Sequence, residues 1–381
     1  MPLRRRALFR LALLGLVLAV IGGLVGAVEW RLRHVERSNG MWLPWGEPGR
    51  RYALLPAPGR INSQGFNERE IPLEKAPGVW RVVLVGDSVS FGGGLPREAV
   101  YTRVAERVLQ ERGLEVEIIN LAIYGYDAQQ VAATLHHRGW AYAPDLVVYA
   151  AYTNDGSPTA LIQVGEQRAP VYVGDHPAGL WPGPGLGDTL IRSSAIYRRY
   201  LGAREARRLE GGAPTDREAE WAFIDRWMGE MAADAEAHDT PLLVWALAPH
   251  VMAEPDPERC GGDNTGPAFC AEQLRTLAHV QQSARALGLP FATSLPWLRA
   301  SGASGFFLEG KPEDVHHPNA EGSAVVGRGL AEVLLAWRGG TLDALEGQDL
   351  GAYRYREMRR PGREEGVRKG GKARRSPAPA E

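Results

Sequence analysis

Cysteine is nearly absent: Cys260 and Cys270 are the only two in 381 residues, too few for a structural zinc site built on cysteines. No G-x-x-x-x-G-K-[ST] string occurs, so a phosphate-cradling P-loop is excluded. Gly92-Gly93-Gly94 does not extend to the G-x-G-x-x-G of dinucleotide binding. Neither charge dominates, with 44 Lys and Arg against 45 Asp and Glu, and that balance exerts no global pull toward nucleic acid. Internal repeats are not evident. With peripheral ends set aside, the length leaves one core domain of about 280 residues.

One long apolar run stands out. Residues 11–28 carry no charge and follow Arg4, Arg5, Arg6 and Arg10 of a basic stretch over 1–10. Eighteen residues reach the lower end of the length that crosses ~30 Å of hydrocarbon. An uncleaved signal anchor competes with a signal peptide removed after Val25-Gly26-Ala27. The run exceeds the usual apolar core of a signal peptide, and Trp30 suits an interfacial anchor, so the anchor is preferred. Either way the segment implies export, with the rest of the chain on the periplasmic or extracellular side. In such an oxidising compartment Cys260 and Cys270, which bracket the Gly-rich residues 261–267, read as a local disulfide worth about 3 kcal/mol. The alternative is two separate buried thiols.

Residues 29–60 mix charge, tryptophan, proline and glycine without periodicity and read as a linker joining a domain over 61–340. Within it, strands are expected at 82–85, 116–120, 146–151, 242–248 and 291–293. Helices are expected at 101–112, 127–138, 189–209, 216–238, 272–287 and 320–337. Hydrophobic strands alternating with helices imply an α/β fold, a parallel sheet covered on both faces. The Gly- and Pro-dense residues 156–188 interrupt the alternation as a long loop of the kind that carries specificity or acts as a lid. From 341 to 381 the chain becomes basic and poor in apolar residues, as disordered tails are.

The chemistry concentrates in two places. Val82-Val83-Leu84-Val85 runs into Gly86-Asp87-Ser88, which puts Ser88 at the carboxyl edge of a buried strand, where open α/β sheets place their sites. A serine hydroxyl is a weak nucleophile until a base takes its proton, and the base works best when a third group fixes its tautomer. Far downstream, Asp314-Val315-His316-His317-Pro318 supplies an acid and an imidazole on one short loop. Each residue also has a plain structural reading. Ser88 could cap a helix; Asp314 and His317 could form a surface turn; Gly125 could be a turn glycine and Asn154-Asp155 a loop motif. Asp87 and Asp155 read as braces for their loops. His316 competes with His317 as base, and a metal site from Asp314, His316 and His317 is the outlying alternative.

These blocks together resemble the SGNH (GDSL-type) hydrolase family. The first block matches Gly86, Asp87, Ser88 and Gly92; the second, Asn120 to Gly125; the last, Asp314, His317 and Pro318. The third, G-x-N-D, is met in part by Tyr152-Thr153-Asn154-Asp155, with Tyr152 in the glycine's place. The N-S-Q-G-F-N-E string at 62–68 resembles the lead-in of membrane-associated bacterial members. The resemblance implies a three-layer α/β/α sandwich with a flavodoxin-like parallel sheet of about five strands. It implies a serine esterase needing no cofactor and no metal. Ser88 would be nucleophile, His317 base and Asp314 its orienting acid, with oxyanion donors from the Ser88 and Gly125 backbone and the Asn154 amide. The substrate would be an ester, either a small molecule or an acyl group on an envelope glycan or lipid. The same machinery could transfer the acyl group to a surface polysaccharide, with an envelope acyltransferase as partner. A catalytically idle carbohydrate-binding or scaffolding module is the rival from another class, and its one support is Tyr152.

Overall fold

A computed structural model describes residues 2–38, 41–42, 47, 49–50, 52–156, 161–164, 167–170, 186, 189–190, 193–210, 216–260 and 262–353. Five strands, β1 (Trp80–Gly86), β2 (Val116–Asn120), β3 (Leu146–Ala150), β4 (Leu242–Ala246) and β5 (Phe291–Thr293), make one sheet in the order β2-β1-β3-β4-β5. Every pairing is parallel; Val82, for instance, lies between Ile118 and Leu146. All residues of β1, β3 and β4 are buried, as strands covered on both faces must be. This is the doubly wound order, and its switch point lies between β1 and β3, where the chain reverses its direction across the sheet.

Crossover connections between the parallel strands distribute the helices to the two faces. On one, α3 (Tyr101–Glu111) packs against α9 (Ala320–Arg338); on the other, α4 (Ala128–Arg138) packs against α6 (Arg217–Ala237), which meets α7 (Gly262–Ala286). Local signals agree with these elements. Asp127 and Gln130 form a reciprocal capping box at the start of α4, Asp216 caps α6, and Asn319 caps α9. The result is the three-layer α/β/α sandwich anticipated from the alternation.

The N-terminal helix α1 (Pro2–Ser38) carries the apolar run, and its Leu, Val and Ile side chains stand exposed along one stretch. Residues 8–35 form one helix long and apolar enough to cross a membrane. Just past the run, the Glu29 carboxylate accepts the Ala195 N–H at 2.7 Å, the Ile196 N–H at 3.1 Å and the Ser194 hydroxyl at 3.1 Å. It thereby occupies the first turn of α5 (Ala195–Glu210), whose opening N–H groups have no intrahelical partner.

Packing extends beyond 61–340 at both ends. Tyr52, within the expected linker, is wholly buried; its hydroxyl donates to the Tyr124 carbonyl, and the Tyr126 hydroxyl donates to the Tyr52 carbonyl. At the other end Leu350 is buried, and Gln281 Nε2 donates to the Gln348 carbonyl at 2.7 Å. Helix α7 begins ten residues before the expected 272 and breaks at Gly266 (φ 69°, ψ −179°), with Pro267 opening the next stretch. A short helix, α8 (Leu295–Ala300), follows β5 where none was expected. Within the interruption at 156–188, Leu161–Val164 and Gln167–Pro170 pair antiparallel. Most of the remaining segment lies outside the described residues, as does the tail from 354 onward.

Candidate active site

The nucleophile candidate is set by a tight strand-to-helix turn. Gly86 ends β1 pressed against β3: a Cβ there would lie 2.9 Å from Ser90 Oγ and 3.1 Å from Ala150 Cβ, so any side chain would crowd its neighbours. Asp87, fully buried, caps the one-turn helix α2 (Ser88–Phe91), its Oδ1 accepting the Val89 N–H at 3.0 Å. The cap is therefore Asp87, and the Ser88 hydroxyl is not spent on capping. Instead Ser88 Oγ donates to Asp87 Oδ2 at 3.3 Å. Asp87 braces its loop as expected.

The segment after β2 is held from several sides. Asn120 Nδ2 donates to the Ser90 carbonyl at 2.6 Å, and its Oδ1 accepts the Ala122 N–H at 3.0 Å, tying this loop to the turn that carries Ser88. Asn67, in the lead-in string, donates to the Phe91 carbonyl at 2.8 Å, and Glu68 accepts the Asn120 N–H at 3.0 Å. Gly125 then takes φ 74°, a left-handed conformation that a side chain would strain.

After β3, on the opposite flank of the switch point, Asp155 is fully buried and braces the turn: its Oδ2 accepts the Tyr149 hydroxyl at 2.5 Å and the Tyr152 N–H at 2.9 Å. Burial, then the neighbouring Asp87 charge, pushes the Asp155 carboxyl well above the usual range. Asn154 is half-buried, and its buried Oδ1 has no partner among the described residues.

The acid and imidazole lie together on the loop before α9. Asp314 Oδ2 and His317 Nδ1 are 2.9 Å apart, while Asp314 Oδ1 accepts the backbone N–H of His316 at 3.1 Å and of His317 at 3.0 Å. Burial raises the Asp314 carboxyl, but the His317 hydrogen bond and charge and those two N–H groups outweigh it and hold the group well below the usual range. Burial disfavours the His317 imidazolium, yet Asp314, aided by the charge of Asp87, raises its pKa above the ordinary histidine value. Among the described residues no hydrogen bond joins Ser88 Oγ to His317; such bonds are often long in unliganded enzymes and tighten around substrate.

His316 is engaged elsewhere. Its Nδ1 lies 2.9 Å from the Tyr152 hydroxyl, and the two rings meet edge to face at 5.8 Å. Burial pushes the Tyr152 phenol well above its normal pKa, so it stays protonated and shares a hydrogen bond with His316 Nδ1. Burial and the His317 charge lower His316 to about 4. Among the described residues no hydrogen bond joins its side chain to the Asp314 carboxylate. Tyr152, the departure from the third block, thus contacts the residue next to His317, a pairing not foreseen from sequence. Phe269, adjacent to Cys270, packs on His316 from another side at 5.7 Å, and Cys270 is joined to Cys260 by a disulfide. Among the described residues no group of three or more His, Cys, Asp and Glu side chains is arranged to hold a metal ion.

No family model and no curated protein matches the chain. Solved structures do. The acetyl xylan esterase AlAXEase is 12% identical, with a TM-score of 0.41 over 67% of this chain and 99% of that one. A protein of Desulfitobacterium hafniense DCB-2 ascribed to the lipolytic G-D-S-L family is 15% identical, with a TM-score of 0.37 over 67% and 99%. The psychrotrophic esterase EstA from Pseudoalteromonas sp. is 12% identical, with a TM-score of 0.38 over 68% and 99%. Identities and scores this low leave the assignment of chemistry to the residues themselves.

Proposed function

We propose that the protein is a serine ester hydrolase held at a membrane by α1 with its catalytic domain on the exported side. The observation that carries this reading is the Asp314–His317 pair at 2.9 Å, its imidazole electrostatically coupled to Asp87 beside Ser88. Ser88 Oγ attacks the ester carbonyl and gives its proton to His317 Nε2. Asp314 keeps the other proton on Nδ1 and stabilises the imidazolium. Charge developing on the carbonyl oxygen is met by the N–H groups of Ser88 and Gly125 and by the Asn154 amide. In that role Asn154 acts through its Nδ2 amide, which donates. His317 then protonates the leaving alcohol, and water, activated by the same imidazole, releases the acid.

Ser88→Ala should lose about 10³-fold or more in ester turnover at unchanged folding. Turnover of a series of aryl esters of rising acyl length by wild type and variant, together with fluorophosphonate labelling of Ser88, tests the assignment. Equal turnover by the two proteins would overturn it.

A further inference from the structure

His250 lies in the turn of 3-10 helix that follows β4, far in sequence from every block above, and only 1% of it is exposed. Both ring nitrogens are committed to the backbone of the loop that carries Asp314 and His317. Nδ1 is 2.9 Å from the Phe306 nitrogen, and Nε2 is 2.8 Å from the Asp314 carbonyl oxygen. An amide N–H can only donate and a carbonyl can only accept, so the ring is the neutral tautomer with its proton on Nε2. Phe306 in turn accepts the Asn319 N–H through its carbonyl at 2.7 Å. The loop is therefore closed on itself at 306 and 319, and one side chain ties both its entry and Asp314 to the sheet. Phe307 packs edge-on against the imidazole at 4.9 Å, which fixes the ring's orientation.

We propose that His250 is a positioning residue for the acid–base pair, acting through the Asp314 backbone; this rests on the serine-hydrolase reading above. The Asp314 carboxylate is aimed by its own main chain. Releasing the carbonyl lets the carboxylate drift from His317 Nδ1, and a displacement of about 1 Å in such a constellation costs up to about 100-fold. The same loosening weakens the support for the His317 imidazolium, so its pKa must fall. The charged and titratable groups facing His317 are Asp314 and Lys311 on its loop, His316 beside it, Asp87 from the β1 turn and His250 itself. The clamp acts most directly on the Asp314 contribution, through the Asp314 carbonyl.

Two substitutions separate the halves of the clamp. His250→Gln places an amide N–H near the position of Nε2 and can still reach the Asp314 carbonyl. His250→Asn reaches only as far as Nδ1 and can serve Phe306 alone. In the full-length, detergent-solubilised protein, His250→Asn should lose about 10- to 100-fold in kcat with KM little changed, and its acid limb in kcat/KM should move to lower pH. His250→Gln should stay within about threefold of wild type with the limb in place. Equal activity of the two variants, or loss in both with an unmoved acid limb, would overturn the proposal, as would failure of both to fold. An inactive wild type would instead sink the parent reading, which this comparison leaves distinguishable.

Discussion

Replacing Asp314 by asparagine probes the acid–base pair with the smallest change of shape. The backbone N–H groups of His316 and His317 both donate to Oδ1 of this carboxylate. In Asp314→Asn the amide oxygen can take the place of Oδ1 and accept both, so the loop keeps its path. The other oxygen, 2.9 Å from His317 Nδ1, becomes an NH₂ group. A donor then faces a donor, and the imidazole relieves the clash by carrying its proton on Nε2 instead. In that tautomer Nε2 has no lone pair for the Ser88 proton. The imidazolium also loses the negative charge that now offsets the burial of His317.

Two quantities follow. First, kcat for a good aryl ester should drop by about 10³- to 10⁴-fold, the scale seen when the orienting carboxylate of a serine-protease triad becomes an amide. Second, the acid limb of kcat/KM should shift. In the wild type the His317 pKa is raised, so activity should fall as pH drops through a point above the unperturbed value of about 6.5. With Asp314 neutralised, burial dominates and the residual activity should persist to lower pH. The assay is kcat/KM against pH, with thermal unfolding as the control for fold. Activity of Asp314→Asn within about tenfold of wild type, or a limb that does not move, would refute the geometry as the source of catalysis.

The remaining predictions are shorter. His317→Ala should approach the Ser88→Ala defect because the two act as one unit, whereas His316→Ala should cost much less; steady-state kinetics of both variants decides whether the base is assigned to the right histidine. Cys260 and Cys270, joined in the structure, should resist alkylation under non-reducing denaturation in protein taken from the cell envelope, and two free thiols by mass spectrometry would count against both bond and compartment. Glu29→Ala removes the acceptor for two backbone N–H groups and a hydroxyl at the start of α5. It should raise amide hydrogen exchange over 195–198 while leaving the exchange of β1 and β3 unaffected.

Much of this fold was legible because its signals are local. Runs such as Leu146-Val147-Val148-Tyr149-Ala150 carry the β-branched, apolar character of strands buried on both faces, and Asp127 with Gln130 marks a helix start within four residues. The blocks around Ser88, Asp314 and His317 were legible for the same reason, since each sits at a strand end or before a helix. What escaped notice depends on contacts between residues far apart in sequence. Tyr52 has no periodic neighbours to mark it as core; its burial comes from Tyr124 and Tyr126, 72 and 74 positions on. His250 stands 64 residues from the carbonyl it holds, and no local pattern distinguishes it from any other buried histidine after a strand.

Tyr152 shows how a departure from a pattern can be misjudged when read alone. In sequence it removes a glycine from the third block and supports an idle module. In three dimensions its backbone N–H still reaches Asp155, so the turn that carries Asn154 is braced despite the side chain. The phenol is directed to His316 Nδ1, where it engages the histidine adjacent to His317. The substitution and the doubled histidine are thus two halves of one contact, joining the loop after β3 to the loop before α9 across the switch point. That contact gives Tyr152 a reason compatible with catalysis. It also makes a demand: Tyr152→Gly, which restores the glycine of the pattern, should lower activity in this chain because His316 is set free beside the base. Turnover in Tyr152→Gly equal to or above wild type would mean that the tyrosine is incidental and that the Asp314–His317 pair stands without it.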